Sequence, residues 1–488
     1  MTGCFNKNPS YFIKCLIGYG LQFSWFYMSN EALNRKLSGS VQDLIFISVP
    51  IFGASFSSSF MLLCDRYFLS RYSIDALNAV AVAGYLLLLF QLSSIRLTSI
   101  NQVFVGRSLG NGNRQNIGIY TWQMIWVSLL IQLILLPIGL FIGGFYFAQT
   151  EVESLGKTYF SIMMMGHVLF PLGATLASFQ LGIGKTKALM LITIGVNVLN
   201  GVLDYFLINE IYGIIEPLGI KGAAIATLIS QFLYCLILFY LFICAPMSSS
   251  YQTKKWQFRF SFFKESVLSG TPLAFAKFFN LLLWALSMCL VAKKGGDYLI
   301  LLSFGSTVWI LTAAMNESLM KGLTTLFSYF IGQGNRKALV KSFKSGILVL
   351  GALFCFLGIP FLFFQKQLIQ FVLKEEFSST TMHFLHLGCC WLWILFLAEG
   401  MTFVWGGLLV SLKETFYLFK AGAISSCLTY SLYYMAFSFG SLGPDKIWLI
   451  NCPCIIFATI LYGRKVMKYY SELNLLSRSN LFALKGYP

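Results

Sequence analysis

Charge is scarce in this chain. Of its 488 residues 11% are Asp, Glu, Lys or Arg and 57% are apolar, and no soluble domain needs that much apolar side chain. Acids are the rarer sign, 18 against 35 Lys and Arg, for a net charge of +17. Histidine is nearly absent: His167, His383 and His386 are too few and too dispersed to ligate a metal. No glycine loop resembles a phosphate cradle and no nucleophile stands beside a base, so an enzyme is not expected. An ATP-driven pump would need a nucleotide domain, and none is present. The twelve cysteines show no metal-ligand spacing and one adjacent pair, Cys389-Cys390. They read as small apolar packing residues, with no disulfide framework and no cofactor.

What the sequence has instead is apolar length. A membrane-crossing helix takes about 20 apolar residues. Twelve stretches meet that requirement, near 42–64, 76–102, 119–147, 157–182, 187–208, 221–245, 265–291, 297–323, 342–364, 382–411, 415–438 and 446–463. The connections are short and leave no room for a separate soluble domain. Basic residues gather at alternate ends of the stretches: Arg35 and Lys36 before the first, Arg107 and Arg114 after the second, Lys185 and Lys187 after the fourth. Lys254, Lys255, Arg259 and Lys264 follow the sixth, Arg336, Lys337, Lys341 and Lys344 the eighth, and Arg464, Lys465 and Lys468 the twelfth. This is the positive-inside pattern, so the excess charge sets topology and does not point to nucleic acid. Glu151, Glu153, Glu210, Glu216, Glu375 and Glu376 sit at the opposite ends. Both termini are therefore expected in the cytoplasm. Ahead of the first stretch, Tyr11 to Met28 is apolar and aromatic, is broken by Lys14 and lacks a small-residue cleavage site. Residues 1–40 are read as a cytoplasmic extension, either a retained interfacial helix or partly disordered.

An internal repeat organises the chain. Leu109-Gly110-Asn111-Gly112-Asn113-Arg114 returns 222 residues later as Ile331-Gly332-Gln333-Gly334-Asn335-Arg336, and the same offset carries Pro50 onto Pro272. A lone Gly-x-Gly-Asn-Arg is turn chemistry. Its duplication marks two six-span units, and an even number of spans leaves the second oriented like the first, related by an axis along the membrane normal. The expected fold is an all-α integral membrane protein of twelve transmembrane helices in two six-helix lobes. The lobes occupy 41–246 and 265–465, joined by a cytoplasmic loop at 247–264 and followed by a tail at 466–488. Such units meet across a central cleft that can rock open to either side.

Polar groups inside the spans narrow the function. In Asn197-Val-Leu-Asn200-Gly-Val-Leu-Asp204, three polar side chains fall on one face of a helix. A carboxylate at bilayer depth is costly, normally faces a cavity and marks an ion or proton path. The alternative is that Asp204 sits among headgroups beside Asn209 and Glu210. Arg96 in the second span and Glu317 in the eighth occupy nearly equivalent places in the two repeats. A contact between them, made in one state and broken in the other, would be a gate. The plainer alternative is that both reach water or headgroups through a wet cleft, with Lys277 and Lys321 snorkelling toward the cytoplasm.

On these residues the chain resembles the multidrug and toxic compound extrusion (MATE) family of secondary transporters over about residues 40 to 465. Five features carry the resemblance. They are Cys64-Asp65-Arg66-Tyr67-Phe68-Leu69 followed by Asp75-Ala76-Leu77-Asn78-Ala79-Val80, the paired glycine loops, and Gly182-Ile183-Gly184-Lys185-Thr186-Lys187 with its weak echo Ser411-Leu412-Lys413-Glu414-Thr415. The Asn200/Asp204 helix and Pro217-Leu218-Gly219-Ile220-Lys221-Gly222-Ala223-Ala224-Ile225-Ala226-Thr227 complete the set. The resemblance implies a first-lobe cation site at Asp65, Asn200 and Asp204. Glu399 matches an acid of the tenth span, whereas the seventh-span glutamate of other members reads as Asn280. Arg66 and Ser70 stand where the family usually has Thr and Gly. Asn197, Asn280, Arg96 and Glu317 are candidate cleft or gate residues.

The implied function is antiport by alternating access: export of organic cations or drug-like small molecules in exchange for H⁺ or Na⁺. The substrate is expected to be cationic and amphipathic, held in part by aromatic side chains. The protein is expected in the cell (inner) membrane as a multi-pass monomer, with no metal, no other cofactor and no nucleic acid. A lipid or lipid-linked saccharide flippase is the alternative, for which Arg66, Arg96 and Lys277 would hold a phosphate. A non-transporting scaffold would leave the three acids at the family's functional positions unexplained.

Overall fold

The structure, a computed structural model, describes residues 37–209, 217–244, 248–373, 377–440 and 442–476. The expectations placed on residues 1–36, on Glu210, Glu216, Glu375 and Glu376, and on the chain beyond 476 lie outside the described residues.

Helix starts follow from local capping. At the head of Val41–Tyr72 the Ser40 hydroxyl accepts from the Asp43 amide at 3.3 Å, and the Asp43 carboxylate accepts from the Ser40 and Ser38 amides at 3.2 and 2.9 Å. This reciprocal cap satisfies amides that the first turn leaves unbonded. Ser73, in extended conformation, ends that helix, and its hydroxyl accepts from the Ala76 amide at 3.4 Å to open the next.

Among the described residues ten helices are long and apolar enough to cross a bilayer, and the pair Glu153–Met165 and Leu169–Gly182, bent by 45°, makes an eleventh. The twelfth is Thr415–Ser438, whose 24 residues are long enough and whose many Ser, Thr and Tyr make it less apolar. In order the spans are Val41–Tyr72, Ile74–Gly110, Gln115–Phe147, the bent pair, Thr186–Ile208, Ile220–Cys244, Phe260–Ala292, Gly296–Gln333, Arg336–Phe363, Ser379–Ser411, Thr415–Ser438 and Pro444–Tyr469.

Among the span boundaries that differ from the sequence expectation, two follow from contacts between the lobes. The second and eighth spans continue to Gly110 and Gln333, past the apolar stretches that end near 102 and 323. Polar side chains in these extensions find partners on the other lobe, so the helices need no lipid to justify their length. The fourth span, expected as one helix, breaks at Gly166-His167-Val168. There the fully buried His167 places Nε2 3.4 Å from Ser94 Oγ.

The packing repeats as the sequence does. The first span lies along the fifth as the seventh lies along the eleventh, and the second packs on the fourth as the eighth packs on the tenth. The lobes meet along three main seams, the first span against the eighth, the second against the seventh, and the end of the second against the eighth. The glycine loops meet at one end, on helix ends flanked by Arg107, Arg114, Arg336 and Lys337. Gly112 and Gly334 adopt φ of 77° and 68°, the expected turn role. Gly110 and Gly332 serve differently. A Cβ on Gly110 would collide with the Tyr329 carbonyl, one on Gly332 with the Arg107 carbonyl, and one on Gly106 would stand 2.8 Å from Ser328 Cβ. The two helices cross backbone to backbone between the lobes, which only the missing side chains allow.

Candidate functional site

Asp65, Asn200 and Asp204 come together where the first and fifth spans pack. With its amide nitrogen turned to the carboxylates, Asn200 donates to Asp65 Oδ1 at 3.1 Å and to Asp204 Oδ2 at 3.3 Å. Asn200 and Asp204 are fully buried and Asp65 is half-buried. Earlier on the same face, Asn197 Nδ2 donates to Ser57 Oγ at 2.9 Å and Ser58 Oγ at 3.3 Å. The polar stripe of the fifth span therefore faces the first span, where each group has a partner that lipid could not supply. Asp204 is enclosed by protein.

The site has one side closed by apolar packing and an unmet demand. Leu69, Ala76, Ala79, Ile208, Ile220 and Ala223 form a buried apolar cluster beside it, with Phe68 and Tyr159 packed against them. Tyr159 and Cys64 stand within electrostatic reach of both acids; Cys64 opens the first-span motif, whereas no motif signalled Tyr159. Asp204 Oδ1 is buried with no hydrogen-bond partner among the described residues. A proton or a small cation is what such an oxygen can accept.

The second lobe lacks this chemistry at the equivalent positions. Offsets of 222 for the first span and 229 for the fifth, the latter taken from the helix starts Thr186 and Thr415, place Ser287, Thr429 and Tyr433 where Asp65, Asn200 and Asp204 stand. All three are neutral and satisfied locally: Ser287 donates to Leu283 O at 2.8 Å, Thr429 to Ser425 O at 2.9 Å and Tyr433 to Ile447 O at 2.8 Å. The same offsets carry Ser58 to Asn280 and Asn197 to Ser426. These pair again at 3.3 Å, with amide and hydroxyl exchanged between the spans. Asn280 is thus engaged in helix packing. Glu399 has other neighbours, Lys277 on the seventh span and Trp309 and Asn316 on the eighth, and its Oε2 is buried without a hydrogen-bond partner among the described residues.

Arg96 and Glu317 meet between the lobes. Arg96 Nη2 lies 3.7 Å from Glu317 Oε1, and Lys321 Nζ, one turn along, reaches the same oxygen at 3.2 Å. Lys277 belongs to this group, facing Arg96, Glu317, Glu399 and Lys321.

A further set of lobe-to-lobe contacts at the basic end has no counterpart in the sequence reading. Arg107, read as a topology charge, lies within the helix and donates to Ser411 O from Nε at 2.9 Å and from Nη2. The Lys413 ammonium binds Glu265, which also accepts from Tyr120 Oη at 2.7 Å. Lys413 Nζ stands 4.8 Å over the Phe104 ring, itself stacked on Tyr120 at 4.4 Å. Gln102 Nε2 donates to Lys321 O at 2.7 Å and to Thr325 Oγ1 at 2.8 Å. Lys413 lies in the turn between spans, and burial pulls its ammonium below the ordinary lysine value against the opposing pull of Glu265. One signal could have found it. In the echo of Gly182–Lys187, Lys413 takes the place of Gly184 and shares its left-handed backbone, with φ of 64° against 78°. A lysine held in a glycine's conformation carries a strain that its side-chain contacts must offset.

Comparison with known proteins agrees with this architecture. The family model described as MatE matches residues 50–206 and 272–435, two stretches that begin on the repeated prolines. The probable multidrug resistance protein NorM of Thermotoga maritima is 26% identical over 345 residues, covering 67% of this chain and 71% of that one. The probable multidrug resistance protein NorM of Bacillus subtilis is 24% identical over 425 residues, covering 84% and 91%. Among solved structures, a MOP superfamily transporter from Pyrococcus furiosus, described as having a binding pocket of reverse polarity, superposes with a TM-score of 0.79 at 15% identity, covering 90% and 98%. An outward-facing multidrug resistance MATE family transporter gives 0.74 at 14% identity, covering 90% and 97%.

Proposed function

Since the chain belongs to the MatE family of membrane transporters, we propose that it is a secondary active antiporter that exports drug-like amphipathic molecules in exchange for H⁺ or Na⁺. The observation that carries this reading is that Asp65 and Asp204 both lie within hydrogen-bond reach of the Asn200 amide in a buried site. Two carboxylates within reach of one amide nitrogen repel each other unless a proton or cation lies between them. Arrival of the ion draws the first span onto the fifth, and its departure loosens them. The first span also forms the seam with the eighth, where Gly322 leaves space for Ser48. Ion binding in the first lobe thereby biases the contact between the lobes.

The contacts of Arg107 with Ser411, Gln102 with Lys321 and Thr325, Tyr120 with Glu265, and Lys413 with the Phe104 ring hold the lobes together at the basic end and must part when the transporter opens there. By the positive-inside rule that end faces the cytoplasm of a cell membrane, and one chain carries the whole cycle. The test is transport by the full chain in vesicles, with a pH gradient, a sodium gradient or neither. Accumulation of an aromatic dye driven by one of the two gradients supports antiport. Movement that is equal with and without both gradients contradicts it.

A further inference from the structure

Ion coupling in the first lobe leaves the charged group between the lobes without a role. We propose that Arg96, Lys277 and Lys321 form a binding site for the anionic head of an amphipathic molecule, a carboxylate, sulfonate or phosphate, whose apolar body lies on the Trp284 and Trp309 rings. This rests on the transport reading above and replaces the organic cation implied by the family resemblance.

The charge balance carries the argument. Three cations from the second, seventh and eighth spans share the group with two acids, Glu317 and Glu399. Glu317 is already divided between Arg96 at 3.7 Å and Lys321 at 3.2 Å. Lys277 makes no ion pair within 4.0 Å among the described residues. An arriving cation would meet three like charges against two acids, of which Glu317 is taken. An arriving anion gains Lys277 outright and competes with Glu317 for Arg96, and a charge-assisted bond to guanidinium is the stronger kind.

Location and shape agree with the charge. The Arg96, Lys321 and Glu317 side chains are 22%, 32% and 41% exposed, so they reach open space although they sit within spans. Arg96 adjoins Leu97, whose backbone touches Gly270 of the seventh span, so a ligand here contacts both lobes. Trp284 and Trp309 stack at 5.8 Å between centroids and 23° between planes. Trp309 lies beside Glu399, itself a neighbour of Lys277, and Trp284 is two turns from Lys277 on the seventh span, about 10 Å along the axis, a reach that the body of an amphipathic molecule spans. An anion that takes Arg96 from Glu317 also removes an ion pair between the lobes, so cargo and gate share one residue.

The experiment is equilibrium binding to the purified full chain in neutral detergent, read by fluorescence anisotropy with carboxyfluorescein as the anionic probe and rhodamine 6G as the cationic one. We expect carboxyfluorescein to bind roughly tenfold or more tightly than rhodamine 6G, and Lys277→Gln and Arg96→Gln each to cost about tenfold in that affinity. Lys277→Arg should keep most of it, which separates charge from misfolding. Displacement of the dye at lower concentration by short-chain phosphatidylglycerol would assign the head to a lipid phosphate, and by a soluble aromatic carboxylate to a soluble anion. Equal or tighter binding of rhodamine 6G, or unchanged carboxyfluorescein affinity in Lys277→Gln, overturns the proposal. Binding is read without a gradient, so loss of gradient-driven transport with the anion preference intact would count against antiport alone.

Discussion

A single methyl group at Gly332 should loosen the lobes at their basic end. Its Cβ would stand 3.0 Å from both the carbonyl carbon and Cα of Arg107, and closer still to the carbonyl oxygen. Carbon atoms in contact rest at about 3.5 to 4.0 Å, so the two helices must separate by roughly 0.5 to 1 Å. Neither side can yield locally, because both are helix backbone. Overpacking of this kind costs about 1–3 kcal/mol. Charged against the closed arrangement alone, that is a shift of roughly 5- to 150-fold toward opening. The same separation strains the bond from Arg107 to Ser411 O, on the residue that Gly332 touches. Hydrogen–deuterium exchange of the full chain in lipid nanodiscs reads the effect, and amides of 101–110 and 325–333 should exchange about tenfold faster in Gly332→Ala. Gly351→Ala puts the same methyl on a helix with nothing within 4 Å and should leave exchange unchanged. Wild-type exchange in Gly332→Ala at normal yield would refute the backbone crossing.

Glu265→Gln leaves Lys413 and Tyr120 without their shared carboxylate. Because the ion pair is partly exposed, at 26% and 32%, the cost should stay near 1 kcal/mol, seen as faster exchange at the same helix ends with the first-lobe site unaffected. Asn200→Leu keeps both acids and removes the donor between them. It should lower the melting temperature in detergent by a few degrees, for a loss of about 1–3 kcal/mol, and abolish gradient-driven transport, checked by a thermal scan and a dye assay on one preparation.

Much of the fold could be read in the sequence because apolar length and duplication are one-dimensional signals. The twelve stretches and the pairs Pro50/Pro272 and Gly110/Gly332 are visible without knowing what touches what. Asn200 and Asp204 declared themselves by helical spacing, and Asp65 joined them only through the family motif, since 135 residues separate it from Asn200. What the sequence hid are contacts between lobes. Arg107 and Lys413 look like any cytoplasmic charge, and Glu265, which pairs with Lys413 inside the second lobe, accepts across the lobes from Tyr120, 145 residues away. Gly110 and Gly332 read as turn glycines because a turn motif surrounds them, although their use is a backbone crossing. Asn280 looked like a lost acid, whereas its place is the counterpart of Ser58 in a hydrogen bond conserved between the lobes with its partners exchanged.

The claim that coupling resides in the first lobe is tested most directly by gradient-driven dye export in vesicles containing Asp204→Asn, Asp65→Asn or Glu399→Gln at matched amounts. Each substitution keeps shape and hydrogen bonding while removing one carboxylate. The account predicts folded protein in all three, loss of gradient-driven export in Asp204→Asn and Asp65→Asn, and retained export in Glu399→Gln. Full export by Asp204→Asn, with loss confined to Glu399→Gln, would move the coupling site to the second lobe and contradict the account.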